Sequence, residues 1–191
     1  MFEFEAGFEP TADALIGHLD NDSYGQQYPA LLSLASKCEN PEDLVALSLA
    51  TYGWMPTILK ATLHYEDFNL SAVRGINQKN ARAYLKQSKP FIGNSWIGTS
   101  KFLHFINPEV FPIWDSRVAL AFGLKSYQGA NTRRNYVRYF EFCHSSVEQY
   151  SSMISRIRSW LREEYGYCAT DIRCLEMAIF NTSKGHTQNN L

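Results

Sequence analysis

Apolar residues recur at three- and four-residue spacing along most of the chain, the period of helices that bury one face. The only strand-like alternation is Phe2 and Phe4 set between acids, and no partner strand is evident. Pro10-Thr11 opens a short helix through Leu19, Asn21 to Tyr28 reads as a loop, and Pro29 starts a second helix to Lys37. Asn40-Pro41-Glu42-Asp43 is a helix start, with Asn as cap, Pro in the first turn and acids at the positive dipole end. That helix is expected to bury Leu44, Val45, Leu47 and Leu49, to break at Gly53-Trp54-Met55-Pro56, and to resume from Thr57 to His64. Asn77 caps a helix to Gln87, with Ala81, Tyr84 and Leu85 on one face and Lys79, Arg82 and Lys86 on another. Gly93 to Gly98 reads as a tight loop before a helix from Thr99 to Ile106, and Phe111 to Trp114 as an extended run. Asp115 caps the next helix, one or two helices span Asn131 to Tyr165, and Asp171 to Phe180 forms the last, with the tail after Ser183 frayed. The predicted fold is all-α: one domain over residues 1–191, or two lobes around one cleft.

Composition narrows the possibilities. The 191 residues include only 11 Gly and 7 Pro, about 9% together against a norm of roughly 12%, which favours helices over a many-turned β fold. At 45% hydrophobic and a net charge of −1 the chain is neither disordered nor a polyelectrolyte. The longest uncharged apolar stretch, Leu44 to Leu59, is interrupted by Ser48, Gly53 and Pro56, so no membrane span is expected. No basic-then-apolar leader opens the chain, and a cytoplasmic, nucleoid-associated monomer is the expectation. The four cysteines form no C-x-x-C pair and the five histidines no zinc spacing, so neither metal nor cofactor is expected.

The small net charge conceals an asymmetry. Residues 1–50 carry nine acids and one base, an acidic lobe with a net charge of −8. The remainder carries 17 bases and 10 acids, a net charge of +7. Between Asp67 and Glu141 stand eleven bases and two acids, so the region of about residues 70–140 is a basic one. Clustered Lys and Arg point to a polyanion, which rewards them through counterion release. An acidic lobe packed on its own basic one explains the same pattern with no partner.

The chemistry concentrates in Trp96-Ile97-Gly98-Thr99-Ser100-Lys101-Phe102-Leu103-His104-Phe105-Ile106 and Phe111-Pro112-Ile113-Trp114-Asp115-Ser116-Arg117-Val118. Phe102, Leu103, Phe105 and Ile106 are expected to face the core, leaving Lys101 and His104 one turn apart, and a short return loop brings Asp115 to the same cleft. These residues resemble the helix-hairpin-helix DNA glycosylases, the superfamily of endonuclease III and the 8-oxoguanine glycosylases. In that family a Gly-containing hairpin precedes a helix opening with the catalytic Lys, and a Pro-x-Asp-x-x-Val loop carries the catalytic Asp. The resemblance covers roughly residues 91–123. It implies a degenerate helix-hairpin-helix beside a cleft, Asp115 and Lys101 as catalytic residues, and double-stranded DNA with a damaged or modified base as partner. Base-excision repair and bacterial defence against phages with modified bases are both roles known for such enzymes.

The chain departs from the family pattern in three ways. Lys101 and Asp115 are 14 residues apart, closer than is usual; Gly98 stands alone where Gly-x-Gly is expected; and the superfamily's iron–sulfur cysteines are missing. A gap-free alignment puts Ser100, not Lys101, at the nucleophile position. A fixed carboxylate stabilises the positive charge that builds on the sugar as an N-glycosidic bond breaks, and a lysine with a lowered pKa supplies an amine nucleophile. Both roles have plain counterparts, since Asp115 is a good helix cap whatever the function and Lys101 suits a solvated surface. Trp54, Trp96 and Trp114 suit a core, yet a flipped base needs aromatic walls; together with Ser100 and His104 they are the candidate substrate-binding residues. Gly98, Lys79, Arg82, Lys86, Arg117, Arg133, Arg134 and Arg138 are the candidate DNA-binding residues. Two other readings use the same residues: a non-catalytic nucleic-acid-binding protein, and an all-α protein-interaction module.

Overall fold

The computed structural model describes residues 10–16, 23–55, 65, 68–124 and 127–188. The expectations for Phe2–Phe4 and Thr57–His64 lie outside them. Among the described residues every regular element is helical: α1 (Ala12–Ile16), α2 (Ser23–Lys37), α3 (Pro41–Trp54), α4 (Leu70–Gly75), α5 (Gln78–Gln87), α6 (Trp96–Ile106), α7 (Ser116–Ala121), α8 (Tyr127–Ala130), α9 (Arg133–Ser146), α10 (Ser151–Tyr165) and α11 (Asp171–Gln188). The all-α expectation holds. None of these helices is long and apolar enough to cross a membrane.

Capping chemistry sets most helix starts. Asn40 and Asp43 form a reciprocal capping box at α3, and the side chains of Asn69, Asn77, Ser95, Asp115 and Thr132 accept from the first turns of α4, α5, α6, α7 and α9. Several expected boundaries move. The segment read as a loop from Asn21 to Tyr28 is helical from Ser23, so Pro29 lies inside α2. An internal proline costs about 3 kcal/mol. Packing outweighs that cost, for Tyr28 is fully buried and Gly25 lies against the Tyr165 ring. In α3 the buried set is Leu44, Leu47, Ser48, Thr51 and Tyr52, a strict helical stripe, while Val45 and Leu49 point outward at 36% and 56% exposure. The polar members of that stripe are satisfied: Thr51 Oγ1 donates to Leu47 O, and Tyr65 Oη donates to Ser48 Oγ. The span from Asn131 to Tyr165 is two helices, α9 and α10, and α11 runs past Ser183 to Gln188.

Helix α6 is central. It packs on α2, α3, α4 and α9, and all eleven of its residues are buried. A second hub, α11, packs on α1, α7, α9 and α10, and α9 touches both. One continuous hydrophobic cluster joins them. The tight loop is shorter than expected, because α6 begins at Trp96 and takes Gly98 into its first turn. The left-handed backbone lies earlier, at Gly93 and Asn94.

Gly98 serves close packing. A Cβ there would come within 2.5 Å of Tyr52 Oη and 3.1 Å of the Tyr52 ring, both in the core. Gly98→Ala is therefore expected to destabilise the fold by about 1–3 kcal/mol, as overpacking does. Adding Tyr52→Phe, which removes the closest atom, should return part of that loss in chemical denaturation. A double variant no more stable than the sum of the two single losses would count against this contact.

Candidate active site between the two central helices

The return from α6 to α7 turns at residues 108–110 and then runs extended and buried from Phe111 to Trp114; it belongs to no sheet, so its backbone groups need partners from elsewhere. Side chains of two helices, α6 and α9, and of the loop before α11 provide them. Thr170 Oγ1 donates to Pro108 O, His144 Nε2 to Val110 O at 2.7 Å, His104 Nδ1 to Phe111 O at 2.7 Å, and Tyr136 Oη to Pro112 O at 3.2 Å. Ser100 Oγ accepts from Trp114 N at 2.9 Å and lies within donor reach of the carbonyls of Ile97 and Trp114. This lacing delivers Asp115 to a fixed position at the start of α7.

Asp115 divides its carboxylate. Oδ1 accepts from Arg117 N and Val118 N, both at 2.9 Å. Oδ2 lies 3.9 Å from Lys101 Nζ, an ion-pair distance too long for a direct hydrogen bond. The two side chains are 10% and 16% exposed, Lys101 the deeper. Burial lowers the Lys101 pKa and Arg173 lowers it further, against the opposing pull of Asp115 and Glu176. The Lys101 ammonium lies 5.6 Å from the centroid of Trp54. Trp54 is thus the tryptophan of the site.

Other expected site residues fall elsewhere. Trp114 is fully buried, its Nε1 donating to Ala130 O, and Trp96 is 4% exposed against Tyr136. Neither presents a face to a ligand. Ser100 and His104 are fully buried and committed to the lacing, and His104 Nε2 accepts from Tyr28 Oη at 2.6 Å. The expectation that His104 shares an open face with Lys101 is corrected: α6 is buried all round, and adjacent turns meet different neighbours. Gly98 is also withdrawn from solvent, its N–H bound by Ser95 Oγ while Asn131 Oδ1 accepts from Trp96 N. The start of α6 is thereby closed by protein groups, and Gly98 offers no phosphate contact.

Of the basic residues, Lys79, Arg82, Lys86, Arg117, Arg133 and Arg134 are exposed and Arg138 is half-buried. Helices α5 and α9 pack together, bound by an Arg82–Glu141 ion pair and by Arg133 Nη1 donating to Lys86 O. Arg133 also lies over Trp96, and Arg117 over Phe180. The exposed bases of α5 and α9 therefore stand on two helices packed against each other.

The site gains residues that sequence reasoning missed. Arg173 and Glu176 of α11 form an ion pair, at 6% and 4% side-chain exposure. The Arg173 guanidinium lies 4.6 Å from the Tyr28 centroid and 5.8 Å from that of Trp54. Burial pushes the Glu176 carboxyl up to about 7; Arg173 and Lys101 restrain the rise and Asp115 adds to it. The available signal was two opposite charges three residues apart inside the apolar run Ile172 to Ile179. An open groove of about 680 Å³ lies apart, lined by Asn40, Leu44, Tyr65, Phe68, Leu70 and Arg74 among others, and includes none of the residues around Lys101.

Two buried groups give the fold a testable pH signature. Burial depresses His104 to about 3 from 6.5, so below pH 6.5 the unfolded chain takes up a proton that the folded one refuses, and stability falls. Glu176 has the opposite sign: between pH 7 and 4.5 the folded chain takes up its proton first, and stability rises as pH falls. From pH 6.5 to 4.5 the two offset one another. Glu176→Gln should expose the His104 contribution, steepening the fall in unfolding free energy by up to about 1.4 kcal/mol per pH unit. Parallel urea-denaturation profiles for wild type and variant would contradict it.

No family model, curated protein or solved structure matches the chain, which leaves side-chain geometry as the ground for a functional assignment.

Proposed function

We propose that the chain is a DNA glycosylase that hydrolyses the N-glycosidic bond of a damaged or modified base flipped out of duplex DNA. The observation that carries this reading is Lys101, buried with a lowered pKa, 3.9 Å from an aspartate that the start of α7 holds in place. Sequence resemblance to the helix-hairpin-helix glycosylases assigns the carboxylate to Asp115 and, with one inserted residue, the nucleophile to Lys101. The exposed bases of α5 and α9 supply a face for phosphates.

Chemically, the C1′–N bond breaks and its electron pair leaves with the base. Asp115 stabilises the positive charge that develops on the sugar, held from a mostly buried position where its field is little screened. Neutral Lys101 donates its lone pair to C1′, and loss of the amine proton with opening of the sugar ring gives a protonated imine. Water attack at C1′ gives the free abasic sugar instead, with Lys101 then acting only on phosphate or sugar oxygens. In the gap-free alignment Ser100 takes the nucleophile position; its burial and its bonds to Trp114 favour Lys101.

Asp115→Asn keeps the capping oxygen and removes the charge. Near-wild-type melting is expected with a loss of base release of several orders of magnitude; activity within a few-fold of wild type would reduce Asp115 to a cap. Borohydride added during turnover should trap a Lys101–DNA adduct that Lys101→Ala lacks. Absence of the adduct with intact abasic product marks water as the nucleophile, and full base release by Lys101→Ala removes Lys101 from the chemistry.

Binding tests the surface separately. Replacing Lys79, Lys86 and Arg134 with Ala should weaken binding to all duplexes alike and flatten the slope of log affinity against log salt by about 0.9 per lost contact. An unchanged slope places the phosphates elsewhere.

A further inference from the structure

Against the Tyr28 ring the structure holds two hydrogen-bond donors that nothing in the described protein uses. Arg173 is 5% exposed; its Nη1 meets Glu176, while its Nε has no partner. The Tyr167 hydroxyl is likewise buried and without a partner. Both groups lie against one ring, Tyr28, with Arg173 4.6 Å from its centroid and the Tyr167 ring 5.4 Å from it. Tyr28 spends its own hydroxyl on His104 Nε2, and so is fixed as a platform for the other two. An unsatisfied buried donor costs roughly 1–3 kcal/mol, and native structures rarely leave two together without use.

Their placement relative to the proposed chemistry is specific. Arg173 and Lys101 lie over the same Trp54 ring, at 5.8 and 5.6 Å from its centroid. A single nucleotide whose C1′ meets Lys101 therefore has its base within reach of Arg173. Resting on the glycosylase reading, we propose that Arg173 Nε–H and Tyr167 O–H form the base-recognition subsite, and that it selects an uncharged base presenting a carbonyl oxygen or similar acceptor. An N–H that can only donate, with a hydroxyl that can donate beside it, matches such an edge. A cationic, ring-alkylated base meets the wrong electrostatics, because the guanidinium of Arg173 faces it and already lies over the electron-rich ring of Trp54. Sites built on hydrogen bonds discriminate strongly, since the wrong ligand leaves their buried groups unpaired.

The test compares single-turnover base release from duplexes carrying uracil, hypoxanthine or a ring-oxidised purine with release from one carrying 7-methylguanine. The glycosidic bond of 7-methylguanine is intrinsically the more labile, so chemistry alone favours it. Wild type should release at least one carbonyl-bearing neutral base ten-fold or more faster than 7-methylguanine. Tyr167→Phe removes one oxygen and should reduce that preference about ten-fold, with melting temperature and affinity for undamaged duplex unchanged. Arg173→Lys keeps a charge for Glu176 but lacks the Nε donor, and should reduce the preference as well. Preference for 7-methylguanine, or a preference that both variants retain, overturns the subsite while base release upholds the glycosylase reading. Release of no base by wild type overturns both.

Discussion

A buried stretch of extended chain without a sheet is the constraint around which this protein is organised. After a turn at residues 108–110, residues 111 to 114 cross the core between α6 and α7, and the carbonyls of this return have no strand to answer them. Each unmet group costs about as much as a lost hydrogen bond, so the surrounding helices must offer polar side chains at matching heights. Thr170, His144, His104, Tyr136 and Ser100 do so. Removing one of them affects more than local stability, because the lacing aims Asp115 and thereby sets its separation from Lys101.

The same demand explains which features were legible in the sequence. Helix starts were, because Asn40, Asn77 and Asp115 act on their own first turns and depend on nothing distant. Lys101 and Asp115 were legible as a pair through a short-range motif. The roles of Ser100, His104 and Trp96 were not, since amphipathic reasoning assigns a helix one wet face and α6 has none. Its polar residues answer partners far along the chain: His104 meets Tyr28, 76 residues away. Pro29 misled for a related reason, as a local rule placed a helix start where tertiary packing of Tyr28 and Gly25 carried the helix through. Arg173 and Glu176 were hidden because each is charged, and charged residues are almost never buried unless paired.

That buried pair sets the electrostatic character of the region. Two desolvated charges add little net stability compared with apolar residues of the same volume. Their value lies in the field they impose on neighbours: Arg173 helps to lower the pKa of Lys101, while Glu176 opposes it. A lysine held with its proton loosely bound, 3.9 Å from a carboxylate fixed by its capping bonds, is a combination a solvated surface does not sustain.

The neighbouring positions Ser100 and Lys101 have a consequence for how this architecture tolerates length change. Successive residues of an α-helix point about 100° apart. One position grips the crossing chain and the next meets Asp115, so the rotational phase of α6 is locked to the function of both. An insertion between Ser95 and Ser100 would turn the serine and lysine away together, and no side-chain replacement would compensate. An insertion between Ser88 and Asn94, ahead of the cap, leaves that phase intact. Divergence in length is thus channelled into the loop before the helix, while the helix itself keeps its count.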